Sequence, residues 1–163
     1  MPEIRLSTAG IKMYYVVEST AGTRPTSGWT EVPEVTEMPE VSSSPETYQA
    51  TPLSATTNHV YVDGLIDPGG ALGFTANFSQ TELALWNTTI CGAYTTAAAA
   101  GKSMWFCVVI PGFTDAFFME GKPTPIGLPN IGVGQVLRCT LSITPVGQME
   151  WDTAPTISNT VNG

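Results

Sequence analysis

Basic residues are absent from almost half of this sequence, since no lysine or arginine occurs between Pro25 and Ala100. The acids of that stretch account for the whole net charge of −8, because the charges of the two flanking parts nearly cancel. An acidic surface repels phosphate groups, and proteins that hold nucleic acid tightly use lysine and arginine to do so. We therefore expect no tight binding of DNA or RNA. The acids of the stretch are Glu31, Glu34, Glu37, Glu40, Glu46, Asp63, Asp67 and Glu82.

The sequence also has few residues that could perform catalysis. His59 is the only histidine, so a catalytic triad or a histidine-based metal site would have to include it. It lies where a loop meets a strand, which favours an exposed, non-catalytic role. Asp63 and Asp67 do not match a complete calcium loop, and turn formation explains them more simply. We expect no enzyme activity, no catalytic residue, no metal and no cofactor.

Paired cysteines and long apolar runs are missing as well. Cys91, Cys107 and Cys139 are an odd number with unrelated spacings, so neither a disulfide framework nor a zinc site is indicated. Each lies in an apolar run, which predicts a buried, reduced thiol. The first residues lack the apolar core of a signal peptide, and no run is long enough to span a membrane. We expect synthesis and assembly in a reducing cytoplasm.

The residues that are present predict a mainly β protein with a sandwich or barrel-like domain. The chain is long enough for one domain with a real core, and 42% of its residues are apolar against 12% charged. We expect a single domain over residues 1–152 and a polar C-terminal arm over residues 153–163. Short β-branched, aromatic or alternating segments predict strands. They cover residues 11–18, 29–32, 72–78, 104–110, 115–120, 136–144 and 148–152, with turns at 121–123 and 145–147.

One helix is predicted, over about residues 80–92. Ser79 followed by Glu82 is a capping box, and Phe78 with Leu83 could form a hydrophobic staple. The apolar side chains then recur at helical spacing, and Gly92 or Gly101 could end the helix. We expect its apolar face to pack on a sheet. The expected helix–sheet core consists of Phe74, Phe78, Leu83, Trp86 and Ile90.

Residues 36–58 are predicted to form a long extended loop that returns to order only near His59. In the preceding run, residues 31–41, acidic and apolar positions repeat every three residues, which fits neither a strand nor an α-helix. Pro33 and Pro39 within it favour extended or polyproline-like chain. A loop of about twenty residues in a compact domain usually has a function.

The order of these landmarks resembles the major tail tube proteins of long-tailed phages with non-contractile tails. The resemblance covers roughly residues 29–150 and depends on the order and spacing of several short motifs. One departure is the segment 91–102, with its run of four alanines, which has no counterpart in that family. The motifs are Trp29, Val32-Pro33-Glu34-Val35-Thr36-Glu37-Met38-Pro39-Glu40-Val41, Ser44-Pro45-Glu46-Thr47-Tyr48, Ala50-Thr51-Pro52-Leu53, Tyr61-Val62-Asp63-Gly64-Leu65, Gly121-Lys122-Pro123-Thr124-Pro125-Ile126-Gly127 and Leu141-Ser142-Ile143-Thr144-Pro145-Val146-Gly147.

The resemblance implies a structural virion protein. Members of the family are β-sandwich subunits with a flanking helix, and they form hexameric rings that stack into a tube around a tape-measure protein. Terminator and tip proteins are further partners, and DNA passes through the tube without specific binding. For this chain the resemblance implies a place in the virion tail, assembly in the cytoplasm of a host bacterium, and a long loop that reaches the neighbouring ring.

Two sets of residues follow from this implied role. The acids nearest to the implied channel would face the lumen and repel DNA, and these are Glu34, Glu37 and Glu46. The inter-ring contacts would come from Pro39, Ser44, Pro45, Glu46, Thr47, Tyr48, Pro52 and Leu53.

A different class of function is a virion-associated or free β-sandwich module that binds a carbohydrate or another ligand. Such a module would be a monomer or a small oligomer with exposed aromatic side chains on a sheet face. The size of the purified protein separates the two hypotheses, because one predicts rings or tubes and the other a compact particle.

Overall fold

The computed structural model describes residues 8–42, 44–67 and 69–157, and these form a mainly β domain with one helix. The predicted fold class is confirmed: a seven-stranded sheet is rolled into a nearly closed barrel, and a separate two-stranded sheet lies beside it. Strands β1 to β9 are Lys12–Val17, Thr30–Val32, Val35–Glu37, Ser44–Gln49, Tyr61–Asp67, Leu72–Asn77, Met104–Val109, Asp115–Thr124 and Arg138–Thr153. Helix α1 has three consecutive segments, Gln80–Ala84, Leu85–Ile90 and Cys91–Ala99.

A two-residue turn closes the barrel. The strand order is β2-β1-β7-β8-β9-β6-β3, so β2 and β3 are opposite edges of the sheet, yet only Pro33 and Glu34 separate them in sequence. Glu34 has a positive φ of 65°, and its carbonyl oxygen accepts a hydrogen bond from the Asn77 amide at 2.9 Å. The chain predicted to be extended or polyproline-like over residues 31–41 therefore contains two short strands with a turn between them.

The end of the domain is built from one long strand rather than two short ones. Strand β9 runs through residues 145–147, where a turn was predicted, and β8 runs through the second predicted turn at residues 121–123. The register between β8 and β9 shifts between Met119 and Gly121. Met119 pairs with Met149 and Gly121 pairs with Pro145, so residues 146–148 of β9 form a bulge, and pairing on both sides of it overrides the local turn signal.

The alternating side chains of the strands fill two clusters on opposite faces of the sheet. The inner cluster includes side chains from both the helix and the strands. The outer cluster covers the other face of β1, β7 and β8 and is centred on Trp29, Trp105 and Phe118. All three cysteines are free and buried, and burial raises the pKa of Cys91 to about 11 and that of Cys107 to about 12. The buried members of the inner cluster are Met13, Val32, Phe74, Ala76, Trp86, Ile90, Cys91, Met104, Phe106, Met119, Cys139, Leu141 and Ile143.

Helix α1 begins where it was predicted to begin and continues to Ala99, seven residues beyond the predicted end. The Ser79 hydroxyl accepts a hydrogen bond from the Glu82 amide at 3.5 Å, as a capping box requires. Gly92 lies exposed within the helix, and the chain leaves it at Gly101, whose φ is 72°. The segment that departs from the resembled family is therefore the second half of this helix.

A buried carboxylate stabilises the outer cluster. Glu18 is 3% exposed, and its carboxylate accepts hydrogen bonds from the Trp105 indole at 2.8 Å and from the amides of Gly22 at 2.9 Å and Ser103 at 3.2 Å. Burial tends to raise the pKa of Glu18, but the three donors outweigh burial, so the pKa lies below its ordinary value of 4.5.

Glu18→Gln is expected to lower the free energy of unfolding by about 1–3 kcal/mol, because an amide cannot accept all three hydrogen bonds and loses their charge assistance. The folded-state pKa is depressed, so the carboxylate contributes its full stability above about pH 4.5 and loses it as the pH falls through the folded-state value. Urea unfolding of both proteins from about pH 7 to about pH 3 measures the difference. A difference that stays constant over this range would contradict the ionised role of Glu18.

Candidate assembly surfaces

Residues 44–67 form a hairpin of β4 and β5, which we call the β4–β5 hairpin. Ser44 is opposite Asp67 and Gln49 is opposite Tyr61, so residues 44–49 of the loop predicted over residues 36–58 form a strand. The tip is joined by hydrogen bonds across the strands. The Ala50 amide donates to the Val60 carbonyl at 2.7 Å, and the Val60 amide donates to the Thr51 hydroxyl at 2.9 Å. His59 belongs to this tip, where its Nδ1 lies 2.8 Å from the Gln49 amide nitrogen.

The β4–β5 hairpin presents apolar side chains to solvent. Neither of its strands pairs with the seven-stranded sheet. Leu53 is 107% exposed and Leu65 is 87% exposed, and Val60, Tyr61 and Val62 are about half exposed. A two-stranded hairpin is marginally stable alone, and exposed apolar groups of this kind usually mark a contact surface. The exposed apolar side chains therefore make the hairpin a candidate contact surface for another protein chain.

The predicted inter-ring residues fall mostly on this hairpin. Ser44, Pro45, Glu46, Thr47 and Tyr48 lie in β4, where the register shifts between Pro45 and Thr47. Of these, the structure describes the side chains of Thr47 and Tyr48, which are exposed. Two predicted residues, Pro52 and Leu53, are exposed at the tip, whereas Pro39 is half-buried and precedes the hairpin.

The three acids predicted to face a lumen lie in two places. Glu34 occupies the turn between β2 and β3, and Glu37 ends β3, so both are on the barrel and both are exposed. Glu46 is in the hairpin strand β4, and its side chain lies outside the described part of the structure. Glu34 is held in place, since its carboxylate accepts a hydrogen bond from the Asn77 side-chain amide at 3.0 Å.

Four of the five predicted helix–sheet residues belong to the inner cluster or pack against it, and Leu83 is not among them. Trp86, Ile90 and Phe74 are 2%, 0% and 1% exposed, and the Trp86 indole donates a hydrogen bond to the Thr124 carbonyl at 2.8 Å. Phe78 and Leu83 are half-buried. Phe78 contacts the cluster, and Leu85 packs there as well.

The middle segment of helix α1 is a π-helical turn. The Cys91 amide donates to the Trp86 carbonyl, a five-residue separation that widens the helix between Leu85 and Ile90. Trp86 and Ile90 are the buried residues of this segment, and both belong to the inner cluster.

A second exposed apolar surface was not anticipated from the sequence. Residues 125–137 connect β8 to β9, and we call them the apolar loop. Leu128 is 90% exposed, Val133 is 105% exposed, and Ile131, Val136 and Leu137 are also exposed. A signal was available, because no charged residue occurs between Lys122 and Arg138.

Arg24 joins the long connection before β2 to the end of β9. Its guanidinium forms ion pairs with Glu150 and Asp152 and lies 4.0 Å from the centre of the Phe118 ring. The hydrogen bond from the Arg24 guanidinium, followed by one from the Thr153 amide, lowers the pKa of Asp152 below its ordinary value. The contacts hold one face of β8 and β9, which the predicted sites do not use.

Within the described residues there is no group of three or more histidine, cysteine, aspartate or glutamate side chains suited to a metal. None of the helical segments in the described ranges has the length and hydropathy of a membrane span.

Solved structures with this fold come from phage-related particles. A chain in the sixfold-symmetrised baseplate of the anti-feeding prophage matches with a TM-score of 0.60 at 10% identity, covering 94% of this chain and 98% of that one. A chain in the cap that terminates the tube of the anti-feeding prophage matches with a TM-score of 0.54 at 9% identity, covering 94% and 96%. A chain in the virion of a native gene transfer agent matches with a TM-score of 0.50 at 13% identity, covering 77% and 89%.

At these identities the comparisons establish a common fold. No family model matches the sequence, and no curated protein matches it.

Proposed function

We propose that this chain is a structural subunit of a phage tail tube, which assembles in a host bacterium as stacked hexameric rings and conducts DNA. The observation that carries this proposal is the β4–β5 hairpin, which exposes Leu53 and Leu65 and pairs with no strand of its own barrel. A subunit with such an arm is suited to binding further copies of itself. The fold it shares with components of a baseplate, a tube-terminating cap and a virion supports the same role.

The other expected features of this function belong to the proposal as well. Its partners would be a tape-measure protein and the terminator and tip proteins of the tail. It would be located in the tail of the virion, and it would have no catalytic activity. The resemblance specifically favours a long, non-contractile tail.

Negative-stain imaging of the purified protein tests the proposal directly. Rings with six subunits, or tubes built from them, are the expected result. Compact particles of one to three subunits at every concentration and salt condition would contradict it.

The second candidate function, ligand or carbohydrate binding, has one observation in its favour. Trp151 is 55% exposed and lies beside Phe113 and Phe117, with ring centroids 6.3 Å and 5.4 Å away. Exposed aromatic rings of this kind can stack on a sugar. Small particles that bind a glycan through Trp151 would favour this function over the tube.

An acidic lumen is the second part of the proposal, with Glu34, Glu37 and Glu46 facing the channel. Each glutamate-to-lysine change removes one negative charge and adds one positive charge, so three changes move the subunit from −8 to −2 and six copies from −48 to −12. We expect tubes of this triple variant to retain DNA in a salt-dependent way, because lysine side chains displace counterions from phosphates.

Retention of DNA at low salt, compared with the unmodified tube, measures this effect. Glu34 also binds Asn77, so the matched control is Glu34→Gln, which keeps a hydrogen-bond acceptor and adds no positive charge. Triple-variant tubes that release DNA like the parent at low salt would show that these acids lie outside the channel.

A further inference from the structure

Two surfaces of the same chain have complementary chemistry, and most of their apolar side chains are exposed; Ile126, at the start of the apolar loop, packs against the inner cluster. The β4–β5 hairpin is apolar and acidic: its sequence contains Glu46, Asp63 and Asp67 and no base. The apolar loop contains no charged residue and is flanked by Lys122 and Arg138, one on each side. Apolar contact surrounded by opposite charges is the usual composition of a specific protein interface.

The two flanking bases are available to a partner. Lys122 and Arg138 are both exposed, and neither forms an ion pair with any described residue. By contrast, Lys12 lies 3.9 Å from Glu31, and Arg24 is occupied by Glu150 and Asp152. Lys102 also forms no ion pair with a described residue, but it is half-buried. In a chain of net charge −8, an approaching acidic arm is repelled by most of the surface. It is attracted where unpaired bases lie.

The apolar loop is also anchored before any partner arrives. The Ile126 amide donates to the Asn87 side-chain oxygen at 2.7 Å, and the Thr124 carbonyl accepts from Trp86 at 2.8 Å. At the other end, the Phe78 amide donates to the Leu137 carbonyl at 3.1 Å. Binding to a loop whose ends are fixed costs less ordering entropy than binding to a free segment.

We propose that the apolar loop, with Lys122 and Arg138, is the surface that receives the β4–β5 hairpin of a second copy of this chain. The proposal rests on self-assembly as the function and identifies the receiving side of that contact. Because hairpin and loop are different surfaces, each contact leaves one of each unfilled. Such a heterologous contact adds subunits in one direction and can continue without closing on itself.

The first test replaces two fully exposed residues of the loop. Leu128→Asp combined with Val133→Asp should leave thermal unfolding of the subunit unchanged, since both side chains are exposed. The concentration needed for assembly should rise at least about tenfold, because each aspartate would be buried unpaired against an apolar, acidic arm. The matched control is Val146→Asp, a half-exposed apolar residue outside both surfaces.

Four outcomes of this test are decisive. Loss of assembly in the loop variant with normal assembly of the control supports the proposal. Normal assembly of the loop variant overturns it, as does an equal loss in the control, since added negative charge would then block assembly anywhere. If the unmodified protein itself never assembles, the proposed function fails, and the receiving surface fails with it.

A second test identifies the pair of surfaces in contact. The native cysteines are buried, so cysteines introduced at Leu53 and Val133 can be cross-linked selectively by a short bifunctional maleimide. A mixture of Leu53→Cys and Val133→Cys subunits should give cross-linked dimers, and each variant alone should give none. Cross-linking of Leu53→Cys alone would show that hairpins bind hairpins and would overturn the proposal.

Discussion

Replacing residues 44–67 with a two-residue Gly-Ser linker is expected to give a folded subunit that no longer self-associates. Ser44 and Asp67 are opposite each other in the ladder, so a short linker can join the chain on either side. The replacement starts at Ser44 because Val41 and Met38 pack against the inner cluster and are needed for folding. It removes exposed surface and no pairing of the barrel, so the barrel has no reason to unfold.

Circular dichroism and thermal unfolding check that the shortened subunit is folded, and sedimentation with electron microscopy measures its assembly. A smaller control removes only residues 54–57, which shortens the tip and leaves Leu53 and both strands. We expect this control to assemble more weakly but still visibly. Full-length tubes from the subunit without its hairpin would exclude the hairpin as the assembly contact.

Trp86→Ala is expected to lower the free energy of unfolding by about 3–5 kcal/mol, the usual cost of a large-to-small change in a core. Trp86 is 2% exposed and lies against Phe106, with ring centroids 6.3 Å apart. The change also leaves the Thr124 carbonyl without the indole donor. Because Thr124 leads into the apolar loop, we expect the loop to lose part of its anchoring as well.

Urea unfolding at concentrations below assembly measures the effect, so that subunit contacts do not contribute. Trp86→Phe keeps an aromatic ring without the indole donor, and it remains folded if the alanine variant does not. The matched control is Trp151→Ala, whose side chain is 55% exposed and should cost less than half as much. Equal costs for Trp86 and Trp151 would mean that the helix does not depend on Trp86 for its packing.

Several properties of this protein follow from the sequence alone because they depend on composition or on neighbouring residues. The stretch from Pro25 to Ala100 contains no lysine or arginine, so in any fold it contributes no basic side chain that could bind phosphate. Alternation in residues 72–78 predicts strand β6, and the capping box at Ser79 predicts where the helix begins. Each of these signals acts over a few residues, so no distant contact is needed to interpret it.

The end of the helix and the π-turn could not be read in the same way. Gly92 is a permissible end by sequence, yet the helix continues to Ala99. Packing of Ile90, Cys91 and Ala97, which are 0%, 8% and 4% exposed, offsets the low helix propensity of Gly92. Burial against distant parts of the chain decides where such a helix ends, and local helix propensity carries no information about that burial.

Pairing between distant strands decided the rest of the architecture. Polar, proline-containing β4 becomes a strand only because β5 lies opposite it, and β9 runs through Pro145 because β8 pairs with it on both sides of the bulge. The turn at Glu34 can join the two edges of the barrel because β2 pairs with β1 and β3 pairs with β6. These pairings also decide which apolar residues are left exposed, and Leu53 and Val133 are two of them. The candidate surfaces are therefore a property of the tertiary structure: the sequence determines which residues are apolar or acidic, and only the fold determines which of them face solvent.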